Sequence, residues 1–370
     1  MVNLLQIVRQ NEILEGENFM KKVLSMILLL VMLFSLCACG EKTPTDGTEA
    51  PQESSSNQEK PAGGEPVVLR FAFSEAPESQ TAQVMNGAKQ RIEERTEGRV
   101  ICEPHWANEL GSINDCIEQI TMGGNIVSAT SASSWAPYGC PDMTAMDSMF
   151  AFSSIEEIAN FNKSEMWKNM VKELEEKGNI HMICMNWAAA PRVVLSNKPV
   201  NSVSDLKGLL VRVPTDTYAA WFSALGASPV SGIPFAEVYT NIESGVIEAA
   251  EAPFATLSDF SIQEVAKYAY ASNHTYASGC LGTSTKIWNM MSEEDRAIVE
   301  EELSAAGEEY AKLCASSNAE YMKKFEEAGV TIVEPSKEDI EAMQKAAAKA
   351  AATLGLRDGI MEEIKANSKA

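Results

Sequence analysis

The chain has 370 residues, of which 45% are hydrophobic and 22% are charged. This composition is ordinary for a folded protein and excludes a wholly disordered or fibrous chain, and the length exceeds that of one domain of ~150 residues. With 52 acidic against 30 basic side chains the formal net charge is −22, which repels phosphate backbones, so we expect no nucleic-acid partner.

The N-terminal region has the pattern of an export signal. Lys21 and Lys22 precede an almost entirely apolar run over residues 23–36. A run of about 14 residues is too short to cross a bilayer core of about 30 Å, and the pattern is typical of a signal peptide. We therefore expect residues 1–38 to be a leader that is removed, with translation beginning at Met20.

A lipid-attachment motif follows the apolar run. The sequence Leu-Cys-Ala-Cys at residues 36–39 resembles the lipobox of bacterial lipoproteins, in which Cys39 becomes the first mature residue and carries the lipid. The alternative is an ordinary secreted protein that is cleaved elsewhere. Residues 40–66 are mostly small and polar, a composition typical of a flexible tether, with a reach of roughly 30 Å. We expect residues 39–66 to hold the protein on the outer side of the cell membrane.

Strands alternate with helices after this tether. Apolar residues at helical spacing predict two helices early in the body, one with Val84, Ala88 and Ile92 and one with Ile113, Ile117 and Ile120. Strands are predicted over residues 67–74, 99–106, 125–130 and 179–187. This alternation is typical of parallel sheets with helices on both faces, and the ~300 residues of the body suit two α/β lobes.

One long helix is predicted near the C-terminal end. Ser292 is a favourable N-cap residue and Gly329 a favourable residue just past the C-terminus. Apolar residues between them fall mostly at steps of three and four, so the helix could extend ~50 Å. The alternative is two helices that break around Gly307 or around residues 316–317. A continuous helix of this length must lie across both lobes.

The folded part contains six cysteines without any Cys-x-x-Cys spacing, so zinc and redox motifs are weakly supported. They are Cys102, Cys116, Cys140, Cys184, Cys280 and Cys314. Export permits disulfides, but nothing in the sequence fixes a pairing. Disulfides and buried free thiols both remain open.

The segment from Ser204 to Pro253 resembles the extracytoplasmic solute-binding proteins of TRAP transporters, of the dicarboxylate-binding (DctP) type. No single motif is decisive, but the order and spacing of the matching pieces are specific. The pieces are DLKG at 205–208, RVP at 212–214, LGA at 225–227, PF at 234–235, EVY at 237–239, GV at 245–246, TEGRV at 96–100, ELG at 109–111, EVAKY at 264–268 and NHTY at 273–276.

The resemblance implies a two-lobed α/β fold like that of periplasmic binding proteins, braced by the long helix. Lobe I would comprise residues 67–189 plus about 278–317, and lobe II residues 190–277 plus about 318–366. Such a receptor captures a small organic acid by hinge closure and docks on the small and large membrane subunits of the TRAP permease. A ligand-sensing lipoprotein that presents an organic acid to a signalling receptor is the alternative.

The resemblance also assigns binding roles to several residues. Arg212 of the RVP motif would clamp the carboxylate, and Arg192 would support the same anion. Phe235 matches an aromatic residue that packs on the ligand, and Thr215 a polar contact. Ala252 departs from the family pattern, because an asparagine usually stands there, and this change favours a bulkier or less polar ligand, or a shifted binding pose.

The residues around Arg212 support its role on physical grounds. A single cation interrupts an apolar strand that Pro214 ends. Arginine is seldom buried unless paired, and its planar fork offers two parallel N–H donors to a carboxylate. The alternative is an internal pair with Asp205, Asp216 or Glu237. For Arg192, the alternative is a surface cation on an edge strand.

Further candidates for the ligand site come from strand ends and from aromatic residues. Ser74 and Glu75 end the first strand, and ligands of α/β proteins gather at the carboxyl ends of strands. Glu75 would bind a hydroxyl or an amine rather than an anion. Trp187, Trp135 and Phe150 could form apolar walls, although each is more often a core residue. Ser131, Ser133 and Ser134 could place hydroxyls in the first lobe's cleft.

Enzyme classes find little support in the sequence. It lacks G-x-S-x-G, H-E-x-x-H, P-loop and G-x-G-x-x-G motifs. Three histidines do not favour a metal site built from imidazoles. We expect a binding protein rather than an enzyme, without a cofactor or metal.

Overall fold

The computed structural model describes residues 65–369. The expectations for the leader, for Cys39 and for most of the tether therefore lie outside the described residues. Within residues 65–369, none of the helices combines the length and the apolar character that crossing a membrane requires.

Eleven strands within the described residues form two sheets. The strands are β1 (Val67–Ala72), β2 (Val100–His105), β3 (Ile126–Ser131), β4 (Ile180–Cys184), β5 (Val193–Ser196), β6 (Leu210–Arg212), β7 (Ser228–Val230), β8 (Ala249–Ala252), β9 (Tyr268–Tyr270), β10 (Gly279–Ser284) and β11 (Thr331–Val333). Lobe I is built on a sheet of order β2-β1-β3-β10-β4, and lobe II on a sheet of order β11-β9-β5-β8-β6-β7.

Helices cover the faces of these sheets. The α-helices are α1 (Gln80–Arg95), α2 (Ile113–Thr121), α3 (Ala132–Trp135), α4 (Ile155–Phe161), α5 (Glu165–Gly178), α6 (Asp216–Ala224), α7 (Val238–Glu243), α8 (Phe254–Asp259), α9 (Thr285–Trp288), α10 (Glu293–Glu327), α11 (Lys337–Thr353) and α12 (Ile360–Asn367). Five 3₁₀ turns lie between them in the described part, at Ala136–Tyr138, Pro141–Asp147, Val203–Leu206, Phe235–Glu237 and Ile262–Glu264. The two-lobed α/β fold predicted from the sequence is confirmed.

The expectation of parallel sheets was wrong for two strands. β10 runs antiparallel to both of its neighbours, β3 and β4, and β5 runs antiparallel to β8 and β9. A parallel neighbour requires a crossover connection within one sheet. The chain enters β5 directly from β4 of the other sheet, and it enters β10 directly from β9. Both reversed strands are therefore reached by a direct crossing between lobes without an intervening α-helix, whereas β11, which α10 precedes, is parallel to β9.

Each sheet is packed between two apolar clusters. In addition, each lobe buries a segment in an apolar cluster of the other lobe. Met149 is buried in a cluster of lobe II, and Phe150 packs against the same cluster. Ile360 and Ile364 of α12 are buried in a cluster of lobe I. The assignment of residues 318–366 to lobe II was thus wrong for α12, because its apolar side is buried against the first lobe.

The predicted long helix is continuous. The Ser292 hydroxyl accepts a hydrogen bond from the Asp295 amide at 3.0 Å and caps α10, whose 35 residues extend about 52 Å at 1.5 Å per residue. The helix packs against α1 and β4 of lobe I and against α8 and β11 of lobe II. Near its N-terminus, the Arg99 guanidinium holds Asp295 with a nitrogen–oxygen distance of 2.9 Å.

Gly307 does not break this helix, contrary to the alternative considered above. It lies where the segment between β4 and β5 crosses α10, and a Cβ at this position would stand 2.8 Å from Trp187 Cδ1 and overlap the Asn186 side chain. The crossing segment is bound here, because Asn186 Nδ2 and Trp187 Nε1 donate to the carbonyls of Ser304 and Leu303 at 2.7 and 3.0 Å. The glycine permits this close approach.

We predict that Gly307→Ala lowers the free energy of unfolding by about 1–3 kcal/mol, because the added methyl group forces the crossing segment away from α10. Gly87→Ala in α1 is the matched control, since its added Cβ would meet only the mobile end of Arg91. The control should be stabilised by up to about 1 kcal/mol through helix propensity. Chemical denaturation measures both variants. A Gly307→Ala protein as stable as the control would contradict the account of this crossing.

Candidate functional site

A cavity of about 550 Å³ lies between the two lobes, with residues of both in its wall. It is situated at the carboxyl ends of β1 and β3 in lobe I and of β6 and β8 in lobe II. This is the position at which open α/β sheets bind ligands, because the loops that follow the strands converge there. The volume falls in the range of small-molecule sites.

Arg212, the last residue of β6, provides a buried cation in this cavity. Its residue surface is 7% exposed, and its Nε donates to the Ile233 carbonyl at 2.9 Å. The Phe235 ring lies 5.1 Å from the guanidinium carbon. Within residues 65–369, Arg212 forms no salt bridge with any aspartate or glutamate. The internal pair with Asp205, Asp216 or Glu237 that was considered from the sequence is therefore not formed.

The environment of Arg212 disfavours its charge. Burial lowers the pKa of Arg212 to about 10, against the opposing effect of the Glu251 carboxylate. The positive charge of nearby Arg192 lowers the pKa further. Removing a cation from water costs several kcal/mol unless an anion compensates it. This guanidinium is thus prepared to bind an anion that enters the cavity.

Arg192 lies in the same cavity wall but already has a protein anion. Its Nε and Nη2 donate to the two carboxylate oxygens of Glu251 at 2.6 and 2.8 Å, and Nη2 also donates to the Glu251 carbonyl at 2.9 Å. Burial is the largest single effect on the pKa of Arg192 and lowers it, but the Glu251 charge, the hydrogen bond to Glu251 and the fields of Tyr218 and Asp147 together raise the pKa overall. The alternative of a surface cation was wrong, because Glu251 is fully buried on β8 and covers the guanidinium.

Two further residues complete the surroundings of Glu251. His274 Nε2 lies 3.3 Å from one carboxylate oxygen, and its Nδ1 lies 2.8 Å from the Ser272 hydroxyl. Burial raises the pKa of Glu251, but Arg192 and His274 together bring it below its usual value. Glu251 is thus a carboxylate bound from two sides, and Arg212 receives only its longer-range field.

The other lobe II candidates also line the cavity. Phe235 begins a 3₁₀ turn and packs against Phe260, with ring centroids 5.1 Å apart. Thr215 precedes α6, and its buried hydroxyl has no hydrogen-bond partner among the described residues. Ala252 ends β8 and is 1% exposed. Its methyl group therefore contributes apolar surface to the cavity wall.

Lobe I contributes Trp187, Ser74 and Glu75 to the wall. Trp187 is fixed by its hydrogen bond to α10 and by tilted contacts with the Phe73 and Tyr310 rings, whose centroids lie 6.4 and 5.7 Å away. Ser74 and Glu75 follow the carboxyl end of β1. The wall opposite Arg212 thus combines an aromatic plane with a hydroxyl and a carboxylate.

Trp135 does not line the cavity, contrary to the sequence-based expectation. It is completely buried in the core of lobe I, and its ring packs on Gly282 of β10. A Cβ on that glycine would lie 2.8 Å from Trp135 Cη2. Trp135 therefore belongs to the apolar packing behind the site.

The serines after β3 also line the wall, together with residues that the sequence did not single out, such as Asn108 and Tyr310. Ser131, Ser133 and Ser134 line the cavity, and the Ser133 amide donates to the buried Asp147 carboxylate at 2.7 Å. Asn108, which lies in the loop after β2 with φ +63°, could have been found from its place past a strand end. Tyr310 of α10 had no distinguishing signal, because its spacing is that of a core residue.

The described residues contain no group of three or more His, Cys, Asp or Glu side chains that could hold a metal ion. The six cysteines of the folded part are free thiols in this structure and are all buried. The sequence left disulfides and buried free thiols open, and the structure has buried free thiols.

Comparisons with known proteins agree with this architecture. Residues 71–356 match the family described as bacterial extracellular solute-binding protein, family 7. A solute-binding protein of Roseobacter denitrificans is 29% identical over 274 residues, which cover 73% of this chain and 80% of the relative.

Two solved structures are similar over most of their length. A TRAP periplasmic solute-binding protein of Ochrobacterium anthropi with bound L-fuconate has 26% identity and a TM-score of 0.77, covering 82% of this chain and 100% of that one. One from Fusobacterium nucleatum with bound sn-glycerol-3-phosphate has 25% identity and a TM-score of 0.77, covering 81% and 96%.

We predict that Glu251→Ala lowers the free energy of unfolding by about 3–5 kcal/mol, because it leaves the buried Arg192 cation without its partner. Glu301→Ala is the control, since it removes a carboxylate from an exposed pair with Arg95 and should cost no more than about 1 kcal/mol. Urea denaturation of both variants gives the comparison. If both variants lost the same free energy of unfolding, the buried Arg192–Glu251 pair would contribute no more to stability than an exposed pair, which would contradict this account.

Proposed function

Because the chain belongs to the bacterial extracellular solute-binding protein family 7, we propose that it is the extracytoplasmic receptor of a TRAP-type secondary transporter. It captures a small organic acid in the cavity between its lobes. The observation that carries this proposal is Arg212, a buried guanidinium in the cavity wall that forms no salt bridge within residues 65–369.

An acid is the ligand class that suits this cation. A carboxylate accepts two parallel N–H bonds from a guanidinium, and such bonds are about twice as strong as neutral ones. The whole chain carries a formal charge of −22, so its outer surface repels anions and gives no general attraction. Capture then depends on the local field of Arg212 in a low-dielectric cavity, where the attraction is strongest.

Residues of both lobes contribute to capture. Lobe II holds the carboxylate with Arg212 and offers the Thr215 hydroxyl, while the Phe235 ring packs against the body of the ligand. Lobe I brings Trp187 and Ser133 to the other side. Hinge closure around the ligand removes water from the cavity and strengthens its electrostatic contacts.

The relatives support the ligand class. L-Fuconate and sn-glycerol-3-phosphate, which the two similar structures hold, each carry an acidic group and at least two hydroxyl-bearing carbons. The closed receptor delivers its ligand to the small and large membrane subunits of the permease. This chain acts as a binding protein and not as an enzyme.

Attachment to the membrane completes the proposal. The motif at residues 36–39 places a lipid on Cys39, and the polar segment to residue 66 tethers the folded body. A tether with a reach of roughly 30 Å allows the body to meet a permease in the same membrane.

We predict that Arg212→Ala weakens binding of the organic acid by at least about 100-fold, because it removes two charge-assisted hydrogen bonds. A thermal-shift screen of organic acids first identifies a ligand that raises the melting temperature, as selective binding to the folded state requires. Isothermal titration with that ligand then measures the variant. Arg212→Lys should recover only part of the affinity, because an ammonium group lacks the planar fork.

Arg296→Ala is the matched control, since it removes the same charge from α10, where Arg296 contacts Asn289. It should leave the affinity within about threefold of the original. Unliganded Arg212→Ala should keep a free energy of unfolding within about 1 kcal/mol of the original, because the lost cation is uncompensated. Undiminished binding by Arg212→Ala would refute the proposed clamp.

We predict that Cys39→Ser moves the protein from the membrane fraction to the soluble extracytoplasmic fraction, because a serine cannot carry the lipid. Cys37→Ser provides the control and should leave the protein on the membrane. Fractionation and metabolic labelling with a radioactive fatty acid measure the outcome. Equal labelling of the Cys39→Ser protein and the original chain would exclude Cys39 as the attachment site.

A further inference from the structure

The cavity contains a carboxylate as well as a cation. Glu75 follows β1 in lobe I and lines the same cavity as Arg212 of lobe II. Its nearest side-chain partner is the Ser74 hydroxyl, which donates to Oε2 at 3.4 Å. Glu75 forms no salt bridge with a lysine, arginine or histidine in the described part of the chain. The cavity therefore has a negative group that faces the ligand from the lobe opposite the cation.

The surroundings of Glu75 make this part of the cavity unfavourable for a second anion. Burial raises the pKa of Glu75, and hydrogen bonds from the backbone and from Ser74 reverse only part of this rise. Burial and then the Glu75 charge raise the pKa of Asp259, at the end of α8, to about 6. The cation whose field reaches Glu75 is Arg192, which Glu251 already neutralises. An incoming carboxylate would thus meet the Glu75 carboxylate, while the nearby Arg192 cation is already engaged by Glu251.

Neutral polar atoms also belong to residues of the cavity wall. Asn108 Oδ1, Ser133 Oγ and Thr215 Oγ1 are buried in residues that line the cavity, and none has a hydrogen-bond partner in the described structure. Unpaired buried polar atoms are costly, and ligand hydroxyl groups can both donate to them and accept from them. Both lobes contribute such atoms. A ligand with hydroxyls along its chain would satisfy them.

We propose that Glu75 makes this receptor selective for polyhydroxylated monocarboxylates and against dicarboxylates. The inference rests on the proposed function, in which the single carboxylate of the ligand binds Arg212. A hydroxyl group at the far end of the same molecule donates to Glu75. A second carboxylate at that end is rejected by like-charge repulsion, which is a means of specificity against the wrong ligand.

The experiment compares pairs of sugar acids that share one carbon chain and stereochemistry. Galactonate and galactarate, gluconate and glucarate, and mannonate and mannarate differ only in a terminal CH₂OH or carboxylate. Isothermal titration measures each acid with the original protein, with Glu75→Gln and with Glu103→Gln. Glu103 is an exposed residue of β2, so its variant removes the same charge from the same lobe outside the cavity.

The original protein should bind at least one monocarboxylate at least about 100-fold more tightly than its dicarboxylate partner. Glu75→Gln should reduce this ratio at least tenfold, chiefly by strengthening dicarboxylate binding, because glutamine removes the repulsion and keeps the shape. Glu103→Gln should leave the ratio unchanged. Equal binding of the two acids by the original protein, or an unchanged ratio in Glu75→Gln, would overturn the inference.

The remaining outcomes separate the inference from the proposed function. If the original protein binds other organic acids through Arg212 but none of these monocarboxylates, the inference fails and the proposed function stands. If a 6-amino-6-deoxyaldonate binds more tightly than the matching aldonate and depends on Glu75, the occupant of this end is an ammonium group, and the inference is again overturned. If no organic acid binds at all, both fail.

Discussion

The pairing of Arg192 with Glu251 determines the charge of the whole cavity. Glu251 is fully buried on β8, and its carboxylate is bound by Arg192 on one side and approached by His274 on the other. Because this carboxylate is already engaged, Arg212 receives only its longer-range field and retains an uncompensated charge. Glu75 on the opposite lobe is likewise without a salt bridge among residues 65–369. These two unpaired groups make the two walls of the cavity chemically different. The wall with Arg212 favours an anion, and the wall with Glu75 favours a hydrogen-bond donor.

The fold tolerates these unpaired groups because its stability comes from elsewhere. Four apolar clusters pack the two sheets, and α10 connects the lobes through contacts at both of its ends. The crossing segment is hydrogen-bonded to the middle of the same helix, beside Gly307. A binding site can therefore keep polar groups that a core would have to pair, and a ligand supplies the missing partners.

The sequence was most informative where local pattern determines structure. The N-cap at Ser292 and the helical spacing behind it predicted α10, and a lone cation in an apolar strand identified Arg212. Most candidate ligand residues in the described part line the cavity, whereas Trp135 and Phe150 pack in apolar clusters instead. The sequence did not reveal the partner of Arg192, because Glu251 is 59 residues away and meets it only once β5 and β8 pair. The reversed strands and the return of α12 to lobe I likewise depend on long-range packing, which local periodicity does not encode.

A crystal structure of the receptor with its ligand tests the central claim most directly. The protein would be purified without denaturation and crystallised with the acid that gives the largest thermal shift. The account predicts a ligand carboxylate with oxygens about 2.7–2.9 Å from two nitrogens of Arg212, while Arg192 remains on Glu251. A ligand whose carboxylate lies on Arg192 with Glu251 displaced, or an Arg212 paired with a protein carboxylate while the acid binds elsewhere, would contradict it.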